Sequence, residues 1–188
     1  MISVFLKIIK QFMKSSNFSI ISGKYKGLKI SGKLSKSVRP TSSIVRKSIF
    51  DTLRNIENFH VLDLFAGSGI MGFEALSRGA GSITFVEKEF HQVQFIKNNS
   101  LKFENEEINI FKKDVFNFFK KNNLMFNLIF ADPPYLQINL VEFYKIIKNH
   151  IVDGGMLVLE CSVREKFVNR ALKEKIFGNT KVIFLKNE

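Results

Sequence analysis

From Phe59 onward the sequence alternates short apolar runs with amphipathic stretches, and this alternation constrains the fold more than any other feature. The apolar runs cover residues 60–64, 82–87, 108–111, 126–131 and 156–161, with helical patterns at 70–78, 90–103, 115–121, 139–150 and 164–171. Runs this apolar suit strands buried on both faces. Strand–helix alternation predicts an α/β fold, a mostly parallel sheet covered by helices on either side. The tail breaks the rhythm. Residues 173–177 and 180–185 are joined only by Gly178-Asn179, a hairpin signal, so the sheet is expected to end in an antiparallel pair and to count seven strands.

Ahead of this sheet, residues 20–30 read as two short strands around Gly23-Lys24-Tyr25-Lys26-Gly27. Residues 42–55 read as a helix with an apolar stripe of Ile44, Val45, Ile49, Phe50 and Leu53, capped by Thr41 or Ser42 behind Pro40. The expected organisation is an extension at 1–17, a basic hairpin and helix at 18–57, and the main domain at 58–188. Lys7 and Lys10 interrupt the apolar character of residues 1–12, which favours an amphipathic extension, or an upstream start ahead of Met13, over a signal peptide. No apolar run reaches the roughly 20 residues of a membrane span. Cys161 is the single cysteine, which excludes an internal disulfide and points to a reducing, cytoplasmic compartment. His60, His91 and His150 are scattered, so no metal site is expected.

The net charge of +12 is unevenly placed. Of the 29 Lys and Arg, eleven lie in the first fifty residues, which hold no Asp or Glu; the other eighteen face all seventeen acidic residues. An excess confined to one end is the footprint of a polyanion-binding surface, here nucleic acid.

Val61-Leu62-Asp63-Leu64-Phe65-Ala66-Gly67-Ser68-Gly69 is a strand followed by a glycine loop that opens a helix. Residues 67–72 also satisfy G-x-G-x-x-G, a weak dinucleotide signal. Asp63 argues against a pyrophosphate there, because its charge would repel it. That carboxylate suits the ammonium and polar tail of an amino acid, while the glycines let the backbone approach a ligand closely. Glu87 ends the next strand, where it can accept both hydroxyls of a ribose, with Lys88 beside it. Asp114, followed by Val115, can accept from an adenine amine or cap a helix. Asp132 ends the fourth strand and opens Asp132-Pro133-Pro134-Tyr135. The prolines stiffen the backbone and present a carboxylate beside a flat ring, which suits a planar base carrying an exocyclic amine. The steps of 24, 27 and 18 residues between these four acids each approximate one strand–helix unit, so all four line one sheet edge. That set describes S-adenosylmethionine better than NAD, FAD or ATP, and a phosphate-binding Gly-Lys-Ser/Thr is absent.

The chain resembles the RsmD family of S-adenosylmethionine-dependent methyltransferases, which modify the N2 amine of a guanine in small-subunit (16S) ribosomal RNA. The resemblance runs from about Ile20 to the C-terminus. It rests on residues 21–27, Arg39-Pro40-Thr41 with Arg46 and Phe50, the loop at 63–69, Gly72-Phe73-Glu74-Ala75-Leu76-Ser77-Arg78-Gly79-Ala80, Val86-Glu87 and Asp132-Pro133-Pro134-Tyr135. Residues 1–17 lie outside the pattern, and Tyr135 stands where the family often carries Phe. The resemblance implies a Rossmann-like class I methyltransferase fold, with Asp132, Pro133, Pro134 and Tyr135 as the catalytic loop. It implies cofactor contacts from Asp63, Phe65, Ala66, Gly67, Ser68, Gly69, Glu87, Lys88, Asp114 and Val115, with Arg39 and Thr41 closing over the cofactor or holding RNA phosphate. Lys24, Lys26, Lys29, Arg39 and Arg46 are the expected RNA contacts, and the expected state is a monomer acting on RNA within a small-subunit particle. The alternatives are an adenine-N6 DNA or RNA methyltransferase, for whose usual target-recognition region the chain has no room, a methyltransferase of protein side-chain amides, and a non-catalytic RNA-binding ribosome-assembly factor. An NAD oxidoreductase stands last because of Asp63.

Overall fold

The computed structural model of the protein describes residues 13–35, 40–165, 167 and 171–188. The described residues form a seven-stranded sheet of β3 (His60–Leu64), β4 (Ser82–Glu87), β5 (Glu107–Lys112), β6 (Phe126–Ala131), β7 (Ile151–Ser162), β8 (Lys173–Phe177) and β9 (Thr180–Lys186). Their order is β5-β4-β3-β6-β7-β9-β8. The first five are parallel, and β9 pairs antiparallel with both β7 and β8. Gly178, with φ of 59°, supplies the left-handed residue that the tight β8–β9 turn requires. The seven strands and antiparallel end expected from the sequence are both present.

Alternation along each strand sorts its side chains between two apolar layers, as strand geometry demands. Val61, Phe85, Leu128, Val158 and Phe184 enter one core, while Leu62, Val86, Ile129, Leu159 and Ile183 enter the other. The first layer is closed by α1 (Ser43–Leu53), α2 (Ile70–Ser77) and α3 (Phe90–Ser100) through Ile49, Phe50, Phe73, Leu76 and Ile96. The second is closed by α4 (Val115–Phe119) and α5 (Leu140–Ile147) through Phe118, Phe119, Phe143 and Ile147. Ser42 caps α1 by accepting from Val45 N–H at 3.3 Å. Val45, Ile49 and Phe50 of its expected stripe are buried, whereas Ile44 is exposed; it lies five residues before Ile49, off the buried face. Positions 166 and 168–170 of the helix expected over 164–171 fall outside the described residues, and Val163 and Arg164 form a turn. Among the described residues no helix is long and apolar enough to cross a membrane.

The N-terminal hairpin sits lower in the chain than expected. Its strands are β1 (Met13–Ser19) and β2 (Lys29–Ser35), so residues 13–17 pair with 31–35 instead of belonging to an extension. β1 is mostly Ser, Asn and Lys, and its pairing is carried by backbone hydrogen bonds that leave little apolar pattern to read. Residues 1–12 lie outside the described residues. Ile20, Ile30 and Leu34 join the first core layer, so the hairpin shares the sheet's hydrophobic core. Asn99 of α3 exchanges hydrogen bonds with Ser31, donating to its carbonyl at 3.1 Å and accepting from its N–H at 3.0 Å.

The turn between β1 and β2 docks on the C-terminal end of α2. Glu74 is fully buried and accepts from Ile21 N–H at 2.8 Å, Ser22 N–H at 3.1 Å and Arg78 Nε at 2.8 Å. Ser77 Oγ accepts from Tyr25 N–H, and Lys24 N–H donates to the Ser77 carbonyl at 2.7 Å. The Glu74–Arg78 stretch, singled out by family resemblance, is thus a dock for the hairpin. Gly23 has φ of 84°, and a Cβ there would lie 1.7 Å from the Ser77 carbonyl oxygen. Gly23→Ala is therefore expected to lift the turn and to lower unfolding free energy by about 2 kcal/mol. Denaturant titration checks this; an unchanged midpoint would show that the dock contributes nothing.

Candidate active site

The site lies where the parallel strands end. β3 is flanked by β4 on one side and β6 on the other, so the chain reverses direction of travel across the sheet at this point. In open α/β sheets, ligands bind in the crevice at such a switch point. The register pairs Leu64 with both Val86 and Ala131, which brings Asp63, Glu87 and Asp132 to a common edge.

Two carboxylates shape the glycine loop. Asp63 accepts from Gly72 N–H at 3.0 Å, and Glu87 accepts from Gly67 N–H at 2.9 Å and Glu89 N–H at 2.8 Å. Phe65, Gly67 and Gly69 have φ of 56°, 53° and 70°, three left-handed residues within five. The glycines adopt this freely, while Phe65 stores strain offset in part by packing on Phe143 at 5.7 Å. Ala66 and Ser68 are buried within the loop. Gly72 lets α2 press on β4: a Cβ there would sit 2.4 Å from Phe85 Cε1. This is the close helix–strand packing that the third glycine of such loops serves.

Asp63 is 4% exposed, and burial pushes its carboxyl up to about 8, against the Gly72 hydrogen bond and with help from Glu87. A buried carboxyl held that high is driven into its charged form by a cation placed against it. The ammonium of an amino-acid tail fits the position, and Glu87 at the tip of β4 suits a ribose. The donor set therefore fits S-adenosylmethionine. Burial, then Glu160 and Asp63, also raise the Asp132 carboxyl well above the usual carboxylate range. Pro133 is buried, Pro134 exposed, and Tyr135 39% exposed, leaving its ring accessible for stacking. The Tyr135 hydroxyl lies 3.1 Å from Thr180 Oγ1 and 3.5 Å from Glu160 Oε1; burial pushes its pKa up to about 12.

Other expected residues fall differently. Asp114 caps α4, accepting from Phe116 N–H and Asn117 N–H at 3.0 and 3.2 Å through one oxygen. The Val115 side chain is buried in the second apolar layer, leaving its backbone for a ligand, and Lys88 is exposed beside Glu87. Thr41 Oγ1 donates to Glu160 Oε2 at 3.3 Å, which places it at the site's edge; Arg39 lies outside the described residues. Arg46 is a correction. It is 3% exposed, donates to the carbonyls of Thr41 and Ser19 at 3.0 Å each, and pins the hairpin to the start of α1, so it does not face RNA. Among the described residues its Nε has no hydrogen-bond partner, and burial lowers its pKa. Lys24 is exposed, and its ammonium bonds Glu106 at 2.7 Å, just before β5 and at the sheet edge opposite the acids. Lys29 Nζ bonds Ser19 Oγ at 3.0 Å, and Lys26 is exposed on the same turn as Lys24. Cys161 is buried, and its thiol is pushed up to about 11 by burial, which suits packing rather than nucleophilic chemistry. Sequence reasoning missed Glu160. It sits on β7 one residue beyond Leu159, the partner of Ala131, and so is level with Asp132. A search for acids near the end of every parallel strand finds it.

A family model described as "Conserved hypothetical protein 95" matches residues 18–186. The chain is 33% identical over 156 residues to Ribosomal RNA small subunit methyltransferase D of Buchnera aphidicola subsp. Baizongia pistaciae, covering 81% of this chain and 80% of the relative. It is 39% identical over 147 residues to the protein of the same name from Buchnera aphidicola subsp. Acyrthosiphon pisum, covering 74% and 77%. The solved structure of Escherichia coli yhhF, provisionally described as a methyltransferase, superposes with a TM-score of 0.80 at 26% identity, over 92% of this chain and 99% of that one.

Proposed function

The chain belongs to the conserved hypothetical protein 95 family, the RsmD family that its motifs resemble, and we propose that it methylates the N2 amine of a guanine in small-subunit ribosomal RNA. It is an S-adenosylmethionine-dependent methyltransferase. The observation that carries the choice of an amine acceptor is the half-buried Asp132 beside the accessible ring of Tyr135, at the same edge as Asp63 and Glu87.

S-adenosylmethionine supplies an electrophilic methyl group on a sulfonium. Asp63 would hold the ammonium of its tail and Glu87 its ribose hydroxyls, with the 65–69 loop beside them. A guanine must leave its stack to enter, at a cost of a few kcal/mol that is smallest from a loop. Stacking on Tyr135 returns roughly 1–3 kcal/mol. Asp132 and the Pro133 carbonyl accept the two N–H bonds of the exocyclic amine, which turns its lone pair out of conjugation and aims it along the line of displacement. Asp132 then stands ready for the proton that the amine sheds. These residues work by orientation and preorganised charge. The basic N-terminal segment supplies phosphate contacts that position RNA without reading its sequence. The protein acts as a cytoplasmic monomer on RNA within a small-subunit particle.

Incubation with labelled S-adenosylmethionine and, separately, ribosomal RNA, small subunits, DNA and protein tests this reading. Label is expected on guanine N2 of small-subunit RNA. Label on adenine N6 or in protein overturns it.

A further inference from the structure

The acceptor loop is poorly equipped to hold itself in place. Pro133 and Pro134 have no N–H to donate. Within the loop, Gln137 N–H bonds the Pro134 carbonyl at 3.2 Å. Leu136 adopts φ of 60°, a left-handed conformation unfavourable to a branched side chain, yet that side chain is 70% exposed and gains little from packing. A strained residue persists only where its surroundings over-determine it.

The surrounding constraint comes from the turn after β7. Glu165 N–H bonds the Ser162 carbonyl at 3.0 Å, and its carboxylate bridges two backbone amides: Leu136 N–H at 2.8 Å and Ser162 N–H at 2.9 Å. Charge-assisted bonds of this kind are stronger than neutral ones. The neighbouring Tyr135 is fixed independently through its hydroxyl, by Thr180 on β9 and Glu160 on β7. Two elements outside the loop thus set the geometry of the ring next to Asp132.

We propose that Glu165 is a positioning residue for methyl transfer, clamping Leu136 in its left-handed conformation so that Tyr135 and Asp132 meet the acceptor base in the productive pose. This rests on the acceptor site proposed above. Glu165 touches neither base nor cofactor; it acts through Leu136.

Glu165→Ala is expected to lower kcat about tenfold or more, with the dissociation constant for S-adenosylhomocysteine and the KM for S-adenosylmethionine unchanged. Leu136→Gly removes the conformational penalty that Glu165 offsets. In that background the kcat loss on Glu165→Ala is expected to shrink below about threefold. A general structural role predicts neither the split nor this sign of coupling. Unaltered kcat in Glu165→Ala, equal losses of kcat and cofactor affinity, or an undiminished loss in the Leu136→Gly background each overturn the inference while wild-type turnover persists. No methyl transfer to small-subunit RNA by the unaltered protein overturns the functional reading itself, and the inference falls with it.

Discussion

Asp132→Asn is expected to slow methyl transfer to RNA at least about a hundredfold, the scale on which a single preorganised electrostatic contact acts, while cofactor affinity stays within about threefold. The amide keeps the carboxylate's shape but cannot draw both charge and proton from the acceptor amine. Asp132→Ala removes the remaining acceptor oxygen and is expected to lose more. Stability should move the opposite way. Burial, Glu160 and Asp63 hold the Asp132 carboxyl well above its usual range, so the folded protein is under electrostatic pressure there, which the amide relieves. A melting temperature at or above that of the unaltered protein, with turnover nearly gone, separates a catalytic loss from a folding defect. Single-turnover transfer from labelled S-adenosylmethionine, cofactor titration and thermal melts measure the three quantities. Turnover within tenfold of wild type in either variant would remove Asp132 from the chemistry.

Why the sequence announced this edge so well, and other parts so poorly, follows from what periodicity records. Strands buried on both faces are continuous in apolar character, and their alternation with helices left β3 to β6 legible almost to the residue; β7 begins at Ile151, five residues before the expected 156, because Asp153, Gly154 and Gly155 interrupt its apolar run. An acid at the end of such a strand stands out because its surroundings are apolar, which is how Asp63, Glu87 and Asp132 were found. Glu160 was passed over because Cys161 and Ser162 prolong β7 beyond it. Arg46 was misread because charge suggests a surface, whereas the carbonyls that receive its guanidinium belong to Ser19 and Thr41, and Ser19 is 27 residues away. Lys24 and Glu106 are 82 residues apart, a pairing that no local pattern encodes. Asp114 illustrates two readings of one residue: one carboxylate oxygen, Oδ1, caps α4, which leaves the other for an adenine amine. Tertiary hydrogen bonds between distant polar groups were thus the common blind spot, and they also build the clamp at Glu165.

Asp63→Asn is expected to abolish tight cofactor binding, weakening it at least about a hundredfold, and at the same time to stabilise the protein without cofactor at alkaline pH. An Asp in the unfolded chain titrates near 3.8, whereas burial raises Asp63 in the folded protein to about 8. Between these values the folded state keeps a proton that the unfolded state has lost, so stability is full below pH 4, falls as pH rises, and reaches its floor above about 8. The difference corresponds to a penalty on the order of 5 kcal/mol at the alkaline end. Asparagine can still accept from Gly72 N–H but cannot ionise, so the variant's fall in melting temperature between pH 5 and 8 should be much shallower. Asp132 titrates upward too, and the comparison must therefore be between variant and wild type at each pH. The same carboxyl makes cofactor binding a proton-coupled event. An ammonium placed against Asp63 favours its charged form, so binding at pH 7 should release close to one proton, visible as a dependence of calorimetric heat on the buffer's ionisation enthalpy. Release should fade at pH 9, where Asp63 is already charged, and in the asparagine variant at either pH. Buffer-independent heats at pH 7 in the wild type would mean that the ammonium does not rest on Asp63, and the orientation assigned to the cofactor along the 65–69 loop would have to be reversed.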